Sequence, residues 1–421
     1  IIAARFGHAG VCSTLVEALS LHPGSEQVAG NACRAIKFLA QNKDVNVPKL
    51  TSAGACETVP VAMQANQTSI SVASAGCGAL AVLASSMDNV KRMGYSGACE
   101  AIVFCLKKHW ANDRLVERAA RALARLALNE GNSAWLGPAG ACEAVMHAQE
   151  KHQTNAYISA AAFGAMGNLA NDSNNRSRLV AAGCCPAVVY AMELHKESED
   201  VTRMCARCIS KLALSPENKV VLYEAGECKH LVRGFKTFPT SPQLVLQLCK
   251  TIKEIAANDK LVQTTLGDMN CVGELVNVLS THQNKDIIVA SSCYALSVLC
   301  SEHTSNQHQC VHTGIITMLQ GVIHAYFSSD MCADAVCCVT GAVIMNNPTN
   351  IKKFVANNML SQLLKLLARH NRSSDIFVYN CVRSMKYMIQ VDPKSAFKLM
   401  EEVKTVGNGS GGVGAGSVAS N

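Results

Sequence analysis

The sequence predicts an all-α fold, a solenoid of about nine three-helix repeats, on three observations. First, a glycine or asparagine returns every 43 or 44 residues, at Gly10, Gly54, Gly97, Gly140, Gly183, Gly226, Asn270, Gly314 and Asn358. These two residues tolerate the left-handed backbone of a helix-ending turn. Second, the flanking text is copied: Ser52-Ala-Gly-Ala-Cys-Glu-Thr-Val, Ser96-Gly-Ala-Cys-Glu-Ala-Ile, Pro138-Ala-Gly-Ala-Cys-Glu-Ala-Val and Ala181-Ala-Gly-Cys-Cys-Pro-Ala-Val. Third, apolar residues between the anchors fall at helical spacing. Units of this kind bury their apolar faces only by stacking, and the stack presents one extended surface. Such a surface suits macromolecular partners and encloses no cavity for small-molecule chemistry.

The chain opens on Ile1-Ile-Ala-Ala-Arg-Phe-Gly-His-Ala-Gly, which reads as the end of a helix already under way. The first repeat is therefore expected to be truncated and the chain a fragment. After each anchor comes a short amphipathic helix, as with Ile102, Val103 and Leu106. A few polar residues follow, then a longer helix such as Asp113 to Leu128, with Val116, Ala119, Ala120, Leu123 and Leu126 on one face. A third, shorter piece precedes each anchor, as in Asn175-Arg-Ser-Arg-Leu-Val-Ala-Ala. Ser215-Pro216, Ser241-Pro242 and Asn347-Pro348 read as N-caps with proline at the first helical position. Pro60 is placed in a first turn, where its missing N–H costs nothing. The array is expected to fill residues 1–395. Residues 396–421 hold its C-terminal cap and a flexible Gly/Ser-rich tail. The glycine spacing of that tail makes no dinucleotide site, because no strand precedes it and no helix follows.

The 421 residues are 49% hydrophobic but only 5% aromatic, so the interior is built from Ala, Val, Leu, Ile and Cys. No apolar run is long enough to span a membrane, and no signal peptide is visible. Of the 21 cysteines, Cys12, Cys56, Cys99, Cys142, Cys185 and Cys228 stand two residues past an anchor, and Val272, Ile316 and Leu360 fill the same slot later. That exchange marks an apolar core position in which Cys acts as a small hydrophobe. A second column holds Cys33, Cys77, Cys249 and Cys293, with Ala120, Phe163 and Ala206 between. Disulfides are not expected, and a reducing, cytoplasmic compartment is.

The Ala-Gly-Ala turn, the Val/Ile-x-x-x-Leu helix after it, and the endings Ala122-Leu-Ala-Arg-Leu-Ala127 and Ala165-Met-Gly-Asn-Leu-Ala170 resemble the armadillo repeat family. The Gly-Ala-Cys-Glu-Ala-Val form is most similar to armadillo arrays of protists and algae. The resemblance covers residues 1–395 and implies a right-handed superhelix whose long third helices line a concave groove. Nuclear import adaptors of this family carry a Trp ladder and an Asn ladder along those helices. Counting 28 residues past each anchor gives the Asn column: Phe38, Val82, Arg125, Asn168, Lys211, Glu254 and Val298. Four residues earlier lies the Trp column: Arg34, Gly78, Arg121, Gly164, Arg207, Lys250 and Tyr294. One Asn and no Trp matches, which argues against a nuclear-signal receptor.

Positive charge replaces those ladders. Arg34, Arg121, Arg125, Arg207, Lys211, Lys250 and Arg383 occupy the columns, with Glu254 the one acid; Arg383 joins if the ninth copy carries one inserted residue. With Asn168 and Tyr294 these form the candidate partner-binding groove. The net charge of +7 is modest, so placement is the informative part. Arginine forks favour carboxylates and phosphates, and the resemblance extends to groove-binding armadillo proteins such as β-catenin, whose basic grooves take acidic extended peptides. Gly78 and Gly164 leave bare helix, which reads either as a surface for a partner backbone or as tight helix stacking.

Other chemistry finds little support. Cys205 and Cys208 have the spacing of a redox or zinc half-site but lie within a repeat helix. His303, His308, Cys310 and His312 are the best metal candidate, on a segment where polar residues are ordinary. His147 and His152 are five apart and make no zincin signature. Asn66, Asn171 and Asn371 open glycosylation patterns that a reducing compartment leaves unused. No catalytic residue, metal or cofactor is assigned. The expected function is a protein-interaction scaffold that binds an acidic or phosphorylated segment in a basic groove. The alternatives are a subunit of a cytoskeletal or ciliary assembly, or a regulatory segment of a larger signalling protein. Nucleic acid is not expected as a partner, for want of aromatic side chains.

Overall fold

The structure is a computed structural model that describes residues 2–391 apart from 371, together with 393. The C-terminal cap and tail expected over residues 396–421 and the pattern at Asn371 lie outside the described residues. Among the described residues there are 27 helices and no strand. Numbered α1–α27 in chain order, they form nine triples, and each triple's third helix carries a multiple of three. The chain divides into two compact units, Ile1–Thr237 and Phe238–Asn421. In the first, the third helices are α3 (Glu26–Leu39), α6 (Ile70–Leu83), α9 (Asp113–Leu126), α12 (Ala156–Leu169) and α15 (Glu199–Leu212). Each packs on the next. In the second, α18 (Pro242–Ala256), α21 (Asp286–Cys300), α24 (Asp330–Ile344) and α27 (Asp375–Val391) stack likewise. Each unit is thus an α-solenoid.

All nine anchors have positive φ, from +79° at Gly97 to +94° at Gly54 among the glycines and +64° and +56° at Asn270 and Asn358. The repeat period is therefore a backbone requirement. The long helices start on side-chain caps: Ser25, Ser69, Asn112 and Ser198 accept from the amides of Val28, Val72, Leu115 and Val201. Ser241 and Asn347 cap as expected, whereas Ser215 caps no amide and accepts from Arg176 Nε at 3.1 Å. Helix α9 ends at Leu126, two residues before the expected Leu128. Pro60 is the sixth residue of the helix Ala55–Ala65, beyond its first turn, so one intrahelical bond is lost there. Helix α27 begins 17 residues after Asn358 where α9 begins 16 after Gly97, the inserted residue that aligns Arg383.

Both cysteine columns are core. Those two residues past an anchor are at most 3% exposed, and Cys33, Cys77, Cys249 and Cys293 are fully buried. None of the 21 cysteines is in a disulfide, and Cys338 alone among them is half-buried rather than buried. Some thiols are close: Cys184 and Cys208 lie 3.7 Å apart, Cys77 meets Cys105, and Cys337 meets Cys381.

Two further columns tie the repeats together. A buried asparagine eight residues before an anchor (Asn46, Asn132, Asn306, Asn350) donates to two carbonyls of the preceding repeat, one at the end of its third helix and one on its first helix. Asn132 Nδ2 reaches Leu126 O and Val90 O, and Asn306 Nδ2 reaches Leu299 O and Gln263 O. Twelve residues past an anchor, a second set reaches back to a carbonyl of the previous repeat. His109, His152 and His195 contact Gln67 O, Trp110 O and Gln153 O through Nε2 at 2.6–3.0 Å. In the second unit His282, Tyr326 and His370 contact Pro239 O, Gln283 O and Phe327 O. Facing a carbonyl, each ring nitrogen carries its proton.

Candidate functional site

In Ile1–Thr237 the third helices alternate in character. Helix α3 presents Arg34 and Lys37, α9 presents Arg114, Arg118, Arg121 and Arg125, and α15 presents Arg203, Arg207 and Lys211. Between them, α6 offers Ala75 and Gly78, and α12 offers Ala160, Ala161 and Gly164. The arginines of α9 recur at intervals of four, three and four residues, which places all of them on one helix face.

The small residues make room for side chains from the flanking repeats. A Cβ on Gly78 would lie 3.1 Å from Lys37 Cδ and 3.5 Å from Arg118 Cδ, so the two stems approach it from opposite sides. A Cβ on Gly164 would lie 3.3 Å from Met204 Sδ. Both glycines are buried. Of the two readings of bare helix, this geometry fits close packing of the neighbours.

Several arginines are held in place. Arg118 Nη1 donates to Ser74 O and Ser74 Oγ at 3.1 and 2.9 Å. Arg34 donates to Ser71 Oγ at 3.1 Å and Asn31 Oδ1 at 2.8 Å. Arg125 Nη1 donates to Ala84 O at 3.3 Å. Arg121 pairs with Glu117 at 2.9 Å, and Arg203 with Asp200 at 2.7 Å. Burial lowers the pKa of Lys37, and the fields of Arg118 and Arg114 lower it further. Burial and then Arg114 lower that of Arg118, and burial and then Arg203 that of Arg207. Positive charge is therefore concentrated here beyond what nearby acids neutralise. A groove of about 1110 Å³ runs over α6, α9, α12 and α15, its α15 end bordered by Glu197 and Asp200.

The expected site residues fare unequally. Arg34, Arg121 and Arg125 are exposed, and Arg207 and Lys211 are half-buried. Asn168 is only 5% exposed and donates to Ala124 O of α9 at 2.6 Å, so it links neighbouring helices. In the second unit Lys250 is exposed, with Lys253 and Glu254 nearby in an ion pair at 3.1 Å. Tyr294 donates its hydroxyl to Asp334 at 2.7 Å, and burial followed by that carboxylate raises its pKa far above the usual value. Arg383 stacks 5.4 Å over the Tyr379 ring. Counting only two columns missed Lys37, Arg114, Arg118 and Arg203; the run Asp113-Arg114-Leu-Val-Glu-Arg118 carried the signal.

The metal candidates diverge. His303 caps its helix by accepting from Asn306 N and contacts Thr264 Oγ1, while Cys310 is buried against Cys300. Cys205 and Cys208 are both fully buried. Among the described residues no group of three His, Cys, Asp or Glu is placed to hold a metal ion. No single described helix is long and apolar enough to cross a membrane.

No protein-family model and no curated protein matches the sequence. Solved structures do. An engineered protein from a structural genomics consortium is similar at 20% identity with a TM-score of 0.75, over 92% of this chain and 90% of that one. A structure from work on a phosphorylation switch controlling the interaction between cadherin and β-catenin matches at 15% identity and a TM-score of 0.64, over 89% of this chain and 68% of that one. A second engineered protein matches 58% of the chain at 20% identity and a TM-score of 0.52. At these identities the likeness concerns the fold, which is an armadillo-like all-α repeat solenoid.

Proposed function

We propose that the chain is a protein-interaction scaffold of the armadillo kind, without catalytic activity, that binds an acidic or phosphorylated segment along the third helices of Ile1–Thr237. The observation that carries this reading is the single arginine face of α9 between two small-residue helices. An extended acidic segment laid across those helices would meet several guanidinium groups at once, each a charge-assisted contact. The β-catenin structure supports the reading by analogy, since the interaction named for it joins a repeat protein to a protein partner under phosphorylation control. Buried cysteines that form no disulfide fit a reducing, cytoplasmic setting.

The test is binding of a Glu/Asp-rich peptide library, with and without phosphoserine, to the wild type and to Arg121→Glu/Arg125→Glu. Both residues are exposed, so charge reversal leaves the core intact. Binding is expected to weaken at least about tenfold in the variant and to fall with added salt. Unchanged binding, or a partner mapped to the outer helices, refutes the reading.

A further inference from the structure

We propose that the basin where side chains of α3 and α9 meet over α6 is a phosphoryl-binding site, which selects a phosphorylated residue over a carboxylate in the bound segment. The proposal rests on the groove reading above and names the chemistry of one position within it.

The basin has a volume of about 470 Å³. Arg34 and Lys37 enter it from one repeat, Arg114 and Arg118 from the repeat two along, and Ser71 and Ser74 lie on the helix between. No acidic side chain lines it. Of the two acids on α9, Glu117, whose field reaches Lys37 and Arg118, pairs with Arg121, and Asp113 pairs with His152. Four cations thus share a concave space without a counter-charge of their own. A carboxylate brings one negative charge and two oxygens, which a single arginine fork satisfies. A phosphoryl group brings close to two charges and three acceptor oxygens, which matches cations converging from two sides.

The basin is also preorganised. Ser71 and Asn31 hold the Arg34 guanidinium, and Ser74 holds that of Arg118. Binding therefore does not have to order these two long side chains. Gly78 completes the arrangement, because a side chain there would part the Lys37 and Arg118 stems. Burial first, and then repulsion from the neighbouring arginines, lowers the pKa values of Lys37 and Arg118, and an arriving dianion relieves that repulsion.

The experiment uses the whole chain and three fluorescent peptides of one acidic sequence, with phosphoserine, serine or glutamate at the central position. Anisotropy titration of the wild type is expected to show the phosphoserine peptide bound about tenfold more tightly than the glutamate one. Two variants test the basin independently. Lys37→Met/Arg118→Met removes two cations, and Gly78→Met keeps all four but fills the space between them. Each is expected to bring the phosphoserine-to-glutamate ratio to about one while the glutamate peptide still binds through Arg121 and Arg125. Melting followed by circular dichroism verifies that each variant is folded. Equal affinity for the two peptides in the wild type, or a preference that survives both variants, overturns the phosphoryl site and leaves the groove reading standing. If no acidic peptide binds, the groove reading falls and this one with it. A single-stranded RNA that displaces the phosphopeptide at lower concentration, through the same residues, overturns the assignment to a protein segment.

Discussion

Asn306 and Gly267 offer a quantitative test of how consecutive repeats are joined. Asn306, 2% exposed, sits on α22 (Thr304–His312), and Gly267 on α19 (Lys260–Asp268) one repeat earlier. The Asn306 amide donates to Gln263 O at 3.0 Å and Leu299 O at 2.8 Å. A Cβ on Gly267 would lie 2.0 Å from Asn306 Oδ1, so the carboxamide rests directly against the glycine. Asn306→Ala removes two buried neutral hydrogen bonds and leaves a small void, a loss of about 2–3 kcal/mol. Gly267→Ala gains about 1 kcal/mol of helix propensity but expels the carboxamide, so its net cost is about 1–2 kcal/mol. In the double variant the new methyl enters vacated space, the steric term vanishes and the propensity gain remains. The two substitutions should therefore couple by about 2 kcal/mol in the favourable direction. Urea unfolding followed by circular dichroism gives the cycle, and hydrogen exchange of the α22 amides assigns it to this junction, since repeat arrays need not unfold in one step. Additivity within about 0.5 kcal/mol would refute the account.

Three further outcomes follow from the fold. A thiol reagent under native conditions should modify at most Cys338 among the 21 cysteines, and that one slowly, because burial and then Asp334 push its pKa up to about 12; denaturation should make them all reactive, and rapid native labelling of several would contradict the packing. Gly183→Ala, at φ +87° with nothing within 4 Å of the added carbon, should cost about 1 kcal/mol by backbone strain alone, and Gly183→Asn less. His230, whose Nδ1 accepts from Arg233 at 3.0 Å, has its pKa lowered from 6.5 by burial and then by Arg233 and Lys229, against the opposing pull of Glu193. The unfolded chain then binds the extra proton first, so its contribution to stability is full above pH 6.5 and lost as pH falls toward the lowered folded value. His230→Leu should flatten that part of the pH–stability profile, and an unchanged profile would refute the assignment.

The parts legible in the sequence were those in which one residue's own backbone or volume decides the outcome. The nine anchors could be read because a left-handed turn admits few residues, and the cysteine columns because Val272, Ile316 and Leu360 stand in for Cys within the same chain. The site was read in part. Counting at two fixed offsets gave Arg34, Arg121 and Arg125, which are exposed, and Asn168 and Tyr294, which hydrogen-bond to adjacent helices. It passed over Lys37 and Arg118, whose long stems cross from their own repeats to meet above Gly78. Column counting assigns a side chain to the helix that bears it, and here the charge lies over a neighbour. The histidines twelve residues past the anchors were equally periodic, but a polar residue at a helix end looks like ordinary loop chemistry until its carbonyl partner is seen.

Those histidines, and the buried asparagines, all donate in one direction along the chain. His152 reaches Trp110, His195 reaches Gln153, Asn132 reaches Val90 and Asn306 reaches Gln263, each partner lying 42 or 43 residues earlier. In these two columns a repeat therefore contributes the donors, and its predecessor supplies carbonyls that its own helices have already formed. For a chain emerging from the ribosome N-terminus first, the acceptors of these two columns are in place before their donors are made. These bonds can close in the order of synthesis, and no asparagine or histidine of the two columns waits for a carbonyl not yet translated. Loss of repeats from the C-terminal side of a unit would remove donor and demand together. Loss from its N-terminal side would strand the donors of the first repeat retained, so the two ends of each unit should differ in their tolerance of trimming.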